Sequence, residues 1–384
     1  MKRSVKICWI CLMVVFLFLP YPLWLMFSPA IKDDDPTGEG RPLAVWPGEE
    51  TSLSDYPGAV TSYVEDHLPF RSQLITANNS IDMYAFHESE IGKVIVGKNN
   101  FLYFNSETEG DPLADYTGEN LLTEEELAGI CANLTATSDE LKARGTTLVF
   151  LFIPNKSTVY PEYMPDRYGE HADPSCMQQI EDYLRANSDL VIIDPTEAML
   201  AQKAEDADNG TCKDIYFRYD THWNHRGAYV TAGVLLDELC GIKAADLDDL
   251  EQAPMGYAAD LERLIKMTDV LGEDTEYQLS GYVDRTPEIL EYHIFSEPDS
   301  KILRLMTDRE EGDTLVIKCD SFSGFYYYMA GAFKYTYVAT HDNYDLPLIQ
   351  TTKPKYLIWE SAERYLPERL LAWDETSPLA EEGK

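Results

Sequence analysis

The sequence predicts an α/β protein with a mostly parallel sheet, preceded by one N-terminal transmembrane helix, and three observations predict it. The unbroken apolar run Thr147 to Ile153 has the length and composition of a strand covered on both faces. Apolar segments of strand length alternate with segments of helical period, the punctuation of a parallel sheet wrapped by helices. Ile7 to Phe27 contains no charged residue, which is about the ~20 residues a helix needs to cross a hydrocarbon core.

Taken in order, Lys2, Arg3 and Lys6 precede the apolar run and Asp33, Asp34 and Asp35 follow it. That bias places the N-terminus in the cytoplasm and the bulk of the chain outside. A cleaved signal peptide is the competing reading; against it, Ser28-Pro29-Ala30 is a poor cleavage site and the run exceeds an ordinary h-region. Pro20 and Pro22 are positions for a kink. Residues 1–30 are thus read as flank and anchor, 31–48 as an Asp, Pro and Gly-rich linker, and 49–384 as the folded domain. Helical spacing from Leu53 to Met83, interrupted at Pro69, predicts two short helices around a bend. Val94 to Val96 and Phe101 to Phe104 read as strands about the turn Gly97 to Asn100. Thr123 caps a helix whose first turn holds Glu124, Glu125 and Glu126, and which ends near Gly145.

Pro154 ends the strongest strand; Ser175 to Asn187 reads as helix, Leu190 to Asp194 as strand and Pro195 to Lys203 as helix. Ala228, Val230, Val234, Leu235, Leu236 and Leu239 mark another helix after Asn224. An acidic elaboration follows at about 241–313, with a helix near Ala259 to Met267 and strand-prone Glu276 to Leu279 and Lys301 to Leu303. Thr314 to Cys319, Tyr335 to Ala339 and Tyr356 to Glu360 complete the strands.

Composition excludes several classes. With 45 % hydrophobic and 12 % aromatic residues the chain is not disordered. Its 67 acidic against 31 basic residues, net -36, and the lack of a basic stripe argue against a nucleic-acid partner. Cys8 and Cys11 fall in the apolar run; Cys131, Cys176, Cys212, Cys240 and Cys319 are too widely spaced for a zinc site or a disulfide scaffold.

Chemistry concentrates in two places. Ser321 follows the strand ending at Cys319, so it sits at the carboxyl end of a sheet strand, where open α/β sheets bind ligands. A serine nucleophile needs a base, and among seven histidines His222 has the most suggestive setting, with Asp220 two residues before it and a helix after it. His225 is the next candidate, and a local hydrogen-bonded turn at Asp220 and His222 is the structural alternative. A metal set of Asp220, His222, His225 and Asp320 is conceivable, but the reading adopted has no metal and no cofactor. Oxyanion donors are sought in the backbone N–H of Ser321 or Phe322 and in the side chain of Asn155, which serves equally as a turn residue beside Pro154. Arg71, Lys156, Trp223 and Tyr326 are candidate substrate-binding residues; three adjacent tyrosines, Tyr326 to Tyr328, cannot share one helix face. Ser323 is a rival nucleophile, and Arg364 reads as structural. A separation beyond about 5 Å between Ser321 Oγ and His222 Nε2 would break the arrangement.

These residues also carry a resemblance. Leu68-Pro69-Phe70-Arg71, Val96 to Tyr103, Pro154-Asn155-Lys156 with Tyr160-Pro161-Glu162, Tyr219-Asp220-Thr221-His222-Trp223-Asn224 with Gly227, the Gly256 to Leu264 stretch and Asp320-Ser321-Phe322-Ser323 occur in this order. Over about residues 60–365 the chain resembles the SGNH-hydrolase-like family of alginate O-acetylation proteins and bacterial DHHW-motif proteins. The resemblance implies a flavodoxin-like three-layer sandwich. It also implies Ser321 as nucleophile, His222 as general base and acid, and Asp220 as orienting carboxylate. It further implies acetyl transfer to hydroxyls of an exported or cell-envelope polysaccharide, with a multispanning membrane O-acyltransferase as partner. The alternatives are a carbohydrate esterase and a non-catalytic polysaccharide-binding or assembly subunit. Two departures stand out: Cys319 where the usual nucleophile block has glycine, and Thr221 where many relatives have a second histidine.

Overall fold

The computed structural model describes residues 3–27, 42–48, 50–89, 91–210, 213–280, 302–341 and 346–379. Residues 31–41 of the expected linker, Cys212, His293 and Lys301 lie outside the described residues. The chain forms two compact units, Met1–Ile91 with Glu262–Gly272, and Gly92–Leu261 with Glu273–Lys384.

In the first unit the apolar run forms helices Arg3–Phe18 and Pro20–Phe27, broken where Pro20 lacks an N–H. Val5–Phe27, 23 residues, is long and apolar enough to cross a membrane by length and composition. Helices Tyr56–Asp66 and Arg71–Ile81 flank the expected bend, where Phe70 adopts a left-handed backbone, φ 59°. Thr76 Oγ1 and Asn79 Nδ2 donate to the carbonyls of Lys266 and Ile265, 3.0 and 2.6 Å. The predicted helix near Ala259 to Met267 is shorter, Asp260–Leu264, because Lys266 turns left-handed at φ 51°.

The second unit holds the sheet. β1 (Val94–Val96) and β2 (Leu102–Phe104) form the expected antiparallel hairpin. β3 (Thr147–Ile153), β4 (Val191–Ile193), β8 (Thr314–Cys319), β9 (Tyr335–Thr340) and β10 (Tyr356–Ala362) are parallel, and β7 (Ile302–Met306) adds an antiparallel edge. Their order is β4-β3-β10-β8-β9-β7. The acidic interval contributes a strand, β7, to this sheet. It also contains a separate ribbon, β5 (Glu251–Tyr257) paired with β6 (Asp274–Ser280), of which the periodicity signalled only the second strand.

Alternation along the buried strands creates two cores, because successive side chains point to opposite faces. Val149, Leu151, Ile153, Leu315 and Ile317 pack with residues of helices Thr196–Asp208 and His225–Cys240. Leu148, Phe150, Phe152, Val316 and Trp359 pack with helices Glu124–Ala143, Cys176–Asn187 and Leu366–Leu371. This is a three-layer sandwich. Thr123 and Ser175 each begin a helix with a reciprocal capping box, to Glu126 and Gln178.

Candidate active site

The segment around Asp220 is the tip of a tight hairpin. Tyr216 bridges Trp223, and Phe217 N–H donates to the His222 carbonyl at 3.1 Å. Asn224 stops the hairpin and starts the next helix, its side chain accepting from the N–H groups of Arg226 and Gly227 at 3.0 and 3.3 Å. Gly227 lets that helix approach the hairpin: a Cβ there would lie 2.5 Å from the Ile215 carbonyl oxygen and 2.9 Å from Trp223 Cβ.

Asp220 is buried, and its carboxylate is shared out completely. Oδ1 accepts from His222 N–H at 3.0 Å and from His222 Nδ1 at 2.7 Å; Oδ2 accepts from Asp260 N–H at 2.7 Å. Burial pushes this carboxyl up, but the His222 contacts and the two N–H groups outweigh it and hold it below the ordinary range. With Nδ1 protonated toward Asp220, the His222 Nε2 lone pair faces Ser321 Oγ, 2.7 Å away. The gap is well inside the 5 Å limit set from the sequence. Ser321 is exposed and the His222 side chain is 25 % exposed, so a substrate can reach both.

Ser321 follows β8 through a turn that Asp320 ties down. Asp320 accepts from Phe322 N–H and Ala362 N–H, each at 3.0 Å, and from Arg369 Nη1 at 2.9 Å. Its own N–H donates to the fully buried Glu360, 2.8 Å. Phe322 then packs under His222 and edge-on to Trp223, centroids 4.9 and 5.2 Å apart. Arg364 lies over the other side of Phe322, 5.6 Å from its ring, as a structural residue would.

Several expected residues do other work. Phe322 N–H is committed to Asp320, and Asn155 is buried with its Nδ2 on Asp115 Oδ2 at 2.9 Å, so neither is offered to an oxyanion here. The Ser321 N–H has no hydrogen-bond partner among the described residues and is the donor that remains. Lys156 is buried and donates to the carbonyls of Phe217, Arg218 and Asp220 at 3.1, 3.2 and 2.6 Å; it braces the hairpin and is not in the lining of the cavity beside Ser321. Burial lowers its ammonium to about 8. Arg71 belongs to the first unit, in the opening turn of its helix. Trp223 and Tyr326 do line the cavity beside Ser321. The conceivable metal set is split, since His225 Nδ1 meets Tyr328 OH at 2.6 Å and Asp320 faces Arg369.

Sequence reasoning missed Asp260, although it lies in the Gly256 to Leu264 stretch of the resemblance. Its carboxylate accepts from Thr221 N–H and Oγ1 at 2.8 and 2.7 Å and reaches within 3.9 Å of His222 Nδ1. Burial and the Asp220 charge raise its carboxyl. Thr221, at the departure from relatives, is therefore a brace. Arg369 was missed as well, and no local pattern marks it.

Residues 94–286 match the family described as SGNH hydrolase-like domain, acetyltransferase AlgX. A probable alginate O-acetylase AlgJ of Pseudomonas fluorescens is 23 % identical over 390 residues, covering 96 % of this chain and 89 % of its own. The structure of Bacillus cereus PatB1 with a sulfonyl adduct matches at TM-score 0.50 and 15 % identity, over 72 % of this chain and 96 % of that one. A DHHW family protein from Eubacterium siraeum matches at TM-score 0.48 and 16 % identity, over 73 % and 97 %. The PatB1 likeness shows the shared fold.

Proposed function

Because the chain belongs to the SGNH hydrolase-like domain family of the acetyltransferase AlgX, we propose that it transfers acetyl groups to hydroxyls of an exported polysaccharide through Ser321, His222 and Asp220. One observation carries this reading: His222 bridges a buried carboxylate and an exposed serine hydroxyl, 2.7 Å on each side. The name of the AlgJ relative, an alginate O-acetylase, supports polysaccharide acetylation as the coarser activity.

In the proposed reaction Ser321 Oγ attacks the carbonyl carbon of an acetyl ester while His222 Nε2 takes the hydroxyl proton. The tetrahedral oxyanion draws on the Ser321 N–H. Collapse breaks the ester C–O bond, and the leaving alcohol takes the proton from His222. A glycan hydroxyl then gives its proton to His222 and attacks the acetyl-serine; Ser321 leaves and regains the proton. Asp220 stays ionised throughout and stabilises the imidazolium. Water in place of the sugar would make the same machinery an esterase.

Residues 1–30 are proposed as a single-pass anchor, supported by the apolar span Val5–Phe27, 31–48 as linker and 49–384 as the catalytic domain outside the cytoplasm, with its elaboration at about 241–313. A multispanning membrane O-acyltransferase is proposed to supply the acetyl group. The test is turnover of p-nitrophenyl acetate, with and without oligosaccharide. Ser321→Ala should abolish it while circular dichroism stays unchanged; undiminished turnover in that variant overturns the nucleophile assignment.

A further inference from the structure

Among the described residues, the cavity beside Ser321, about 350 Å³, has no lysine or arginine in its lining. Its walls are aromatic. Phe217 and Tyr257 stack with centroids 4.2 Å apart and planes at 11°, and Tyr326 and Tyr327 sit 4.3 Å apart. Among the described residues its one carboxylate is Glu276, largely buried at 8 % exposure. Glu276 Oε1 accepts from the N–H groups of His225 and Tyr277 at 2.9 and 2.7 Å, which fixes the side chain; Oε2 has no partner among the described residues.

A neighbouring cavity of about 300 Å³, which also reaches Asn224, continues the acidic character. Asp214, Glu273 and Asp274 line it, and its arginine, Arg218, is held by Asp214 at 2.7 Å.

From this lining we infer that the acceptor is a hexopyranose glycan without carboxylates, and that Glu276 is the specificity-determining residue excluding polyuronates. The inference rests on the proposed transfer at Ser321 and names its acceptor class. A neutral pyranose lays CH faces on the tyrosines and donates a hydroxyl to Glu276 Oε2. A uronate brings its own carboxylate to every sugar ring; in this cavity it would meet the Glu276 carboxylate with no lysine or arginine beside it among the described residues, and such like-charge juxtaposition is strongly penalised. The net charge of -36 opposes its approach at longer range as well. The acceptor class thus differs from that in the AlgJ relative's name, a polymer of uronates.

The experiment offers the full chain p-nitrophenyl acetate with cello-oligosaccharide, chito-oligosaccharide or oligomannuronate, and reads acetylated product by mass spectrometry. The neutral acceptors should be used with kcat/KM at least roughly tenfold above oligomannuronate. Glu276→Lys should narrow that ratio by about tenfold and Glu276→Gln by less. Equal use of oligomannuronate by the wild type, or a ratio unmoved in both folded variants, overturns the acceptor assignment and leaves the Ser321 chemistry intact. If no ester is turned over, the transfer reading fails instead, and titration calorimetry with the same three oligosaccharides decides the acceptor class. Tighter binding of the neutral chains upholds it; equal or tighter oligomannuronate binding overturns it.

Discussion

The carboxylate pair beside the proposed base, Asp220 with Asp260, and the pair beside the proposed nucleophile, Asp320 with Glu360, follow one electrostatic pattern. In each, one member is held below the ordinary range by a cation or hydrogen-bond donors despite burial, and its partner is pushed up, first by burial and then by the neighbour's charge. What differs is the group that receives the charge. Asp220 faces the ring of His222, whereas Asp320 faces Arg369 and two backbone N–H groups. In the proposed reaction the first pair serves the proton transfer and the second the geometry of the turn. A buried carboxylate with a perturbed pKa is thus a clue to function only once its partners are known.

The largest expected contrast is in rate. Asp220→Asn should lower kcat for ester turnover by about 10⁴-fold, because the amide favours the wrong imidazole tautomer. Its unfolding transition should move little. An Asp220→Asn enzyme within about tenfold of wild type would erase the distinction between the pairs.

Arg369→Met should show the opposite balance. Removing the cation leaves Asp320 buried and unpaired, at a cost of about 3–5 kcal/mol in urea unfolding. Rate should fall through a loosened Ser321 turn, with KM for p-nitrophenyl acetate unchanged. The pH dependence follows from the same residue. The folded-state pKa of Asp320 is depressed, so its stabilisation is present above the unfolded value of about 3.9 and is lost as pH falls through the folded value. In Arg369→Met burial is opposed only by the Phe322 and Ala362 N–H groups, and acid unfolding should begin at higher pH than in the wild type.

The contrast between the pairs also explains what the sequence could disclose. Asp220 and His222 are legible because the hairpin places them two residues apart, and Ser321 because a strong apolar strand ends just before it. The sheet is legible for the same reason, since runs such as Thr147–Ile153 and Thr314–Cys319 announce burial by composition. Arg369 and Asp260 are brought in by tertiary packing from 49 and 40 positions away, and no local spacing encodes that. The partners of Lys156 and Asn155 are illegible for a related reason: a polar residue after a strand looks the same in sequence whether it faces a ligand or satisfies buried carbonyls and carboxylates.

The smallest effect probes the interior of the first pair. Asp260 puts a second negative charge 3.9 Å from His222 Nδ1, on a side chain 35 % exposed, while its backbone N–H fixes Asp220 Oδ2. Asp260→Asn keeps that N–H and an oxygen for Thr221 but removes the charge. With the N–H that fixes Asp220 retained, kcat/KM for p-nitrophenyl acetate should stay within about threefold of wild type. A collapse of kcat/KM in the folded variant would assign the Asp260 carboxylate to holding Thr221 and Asp220 in place, making the base arm as dependent on geometry as the turn that carries Ser321.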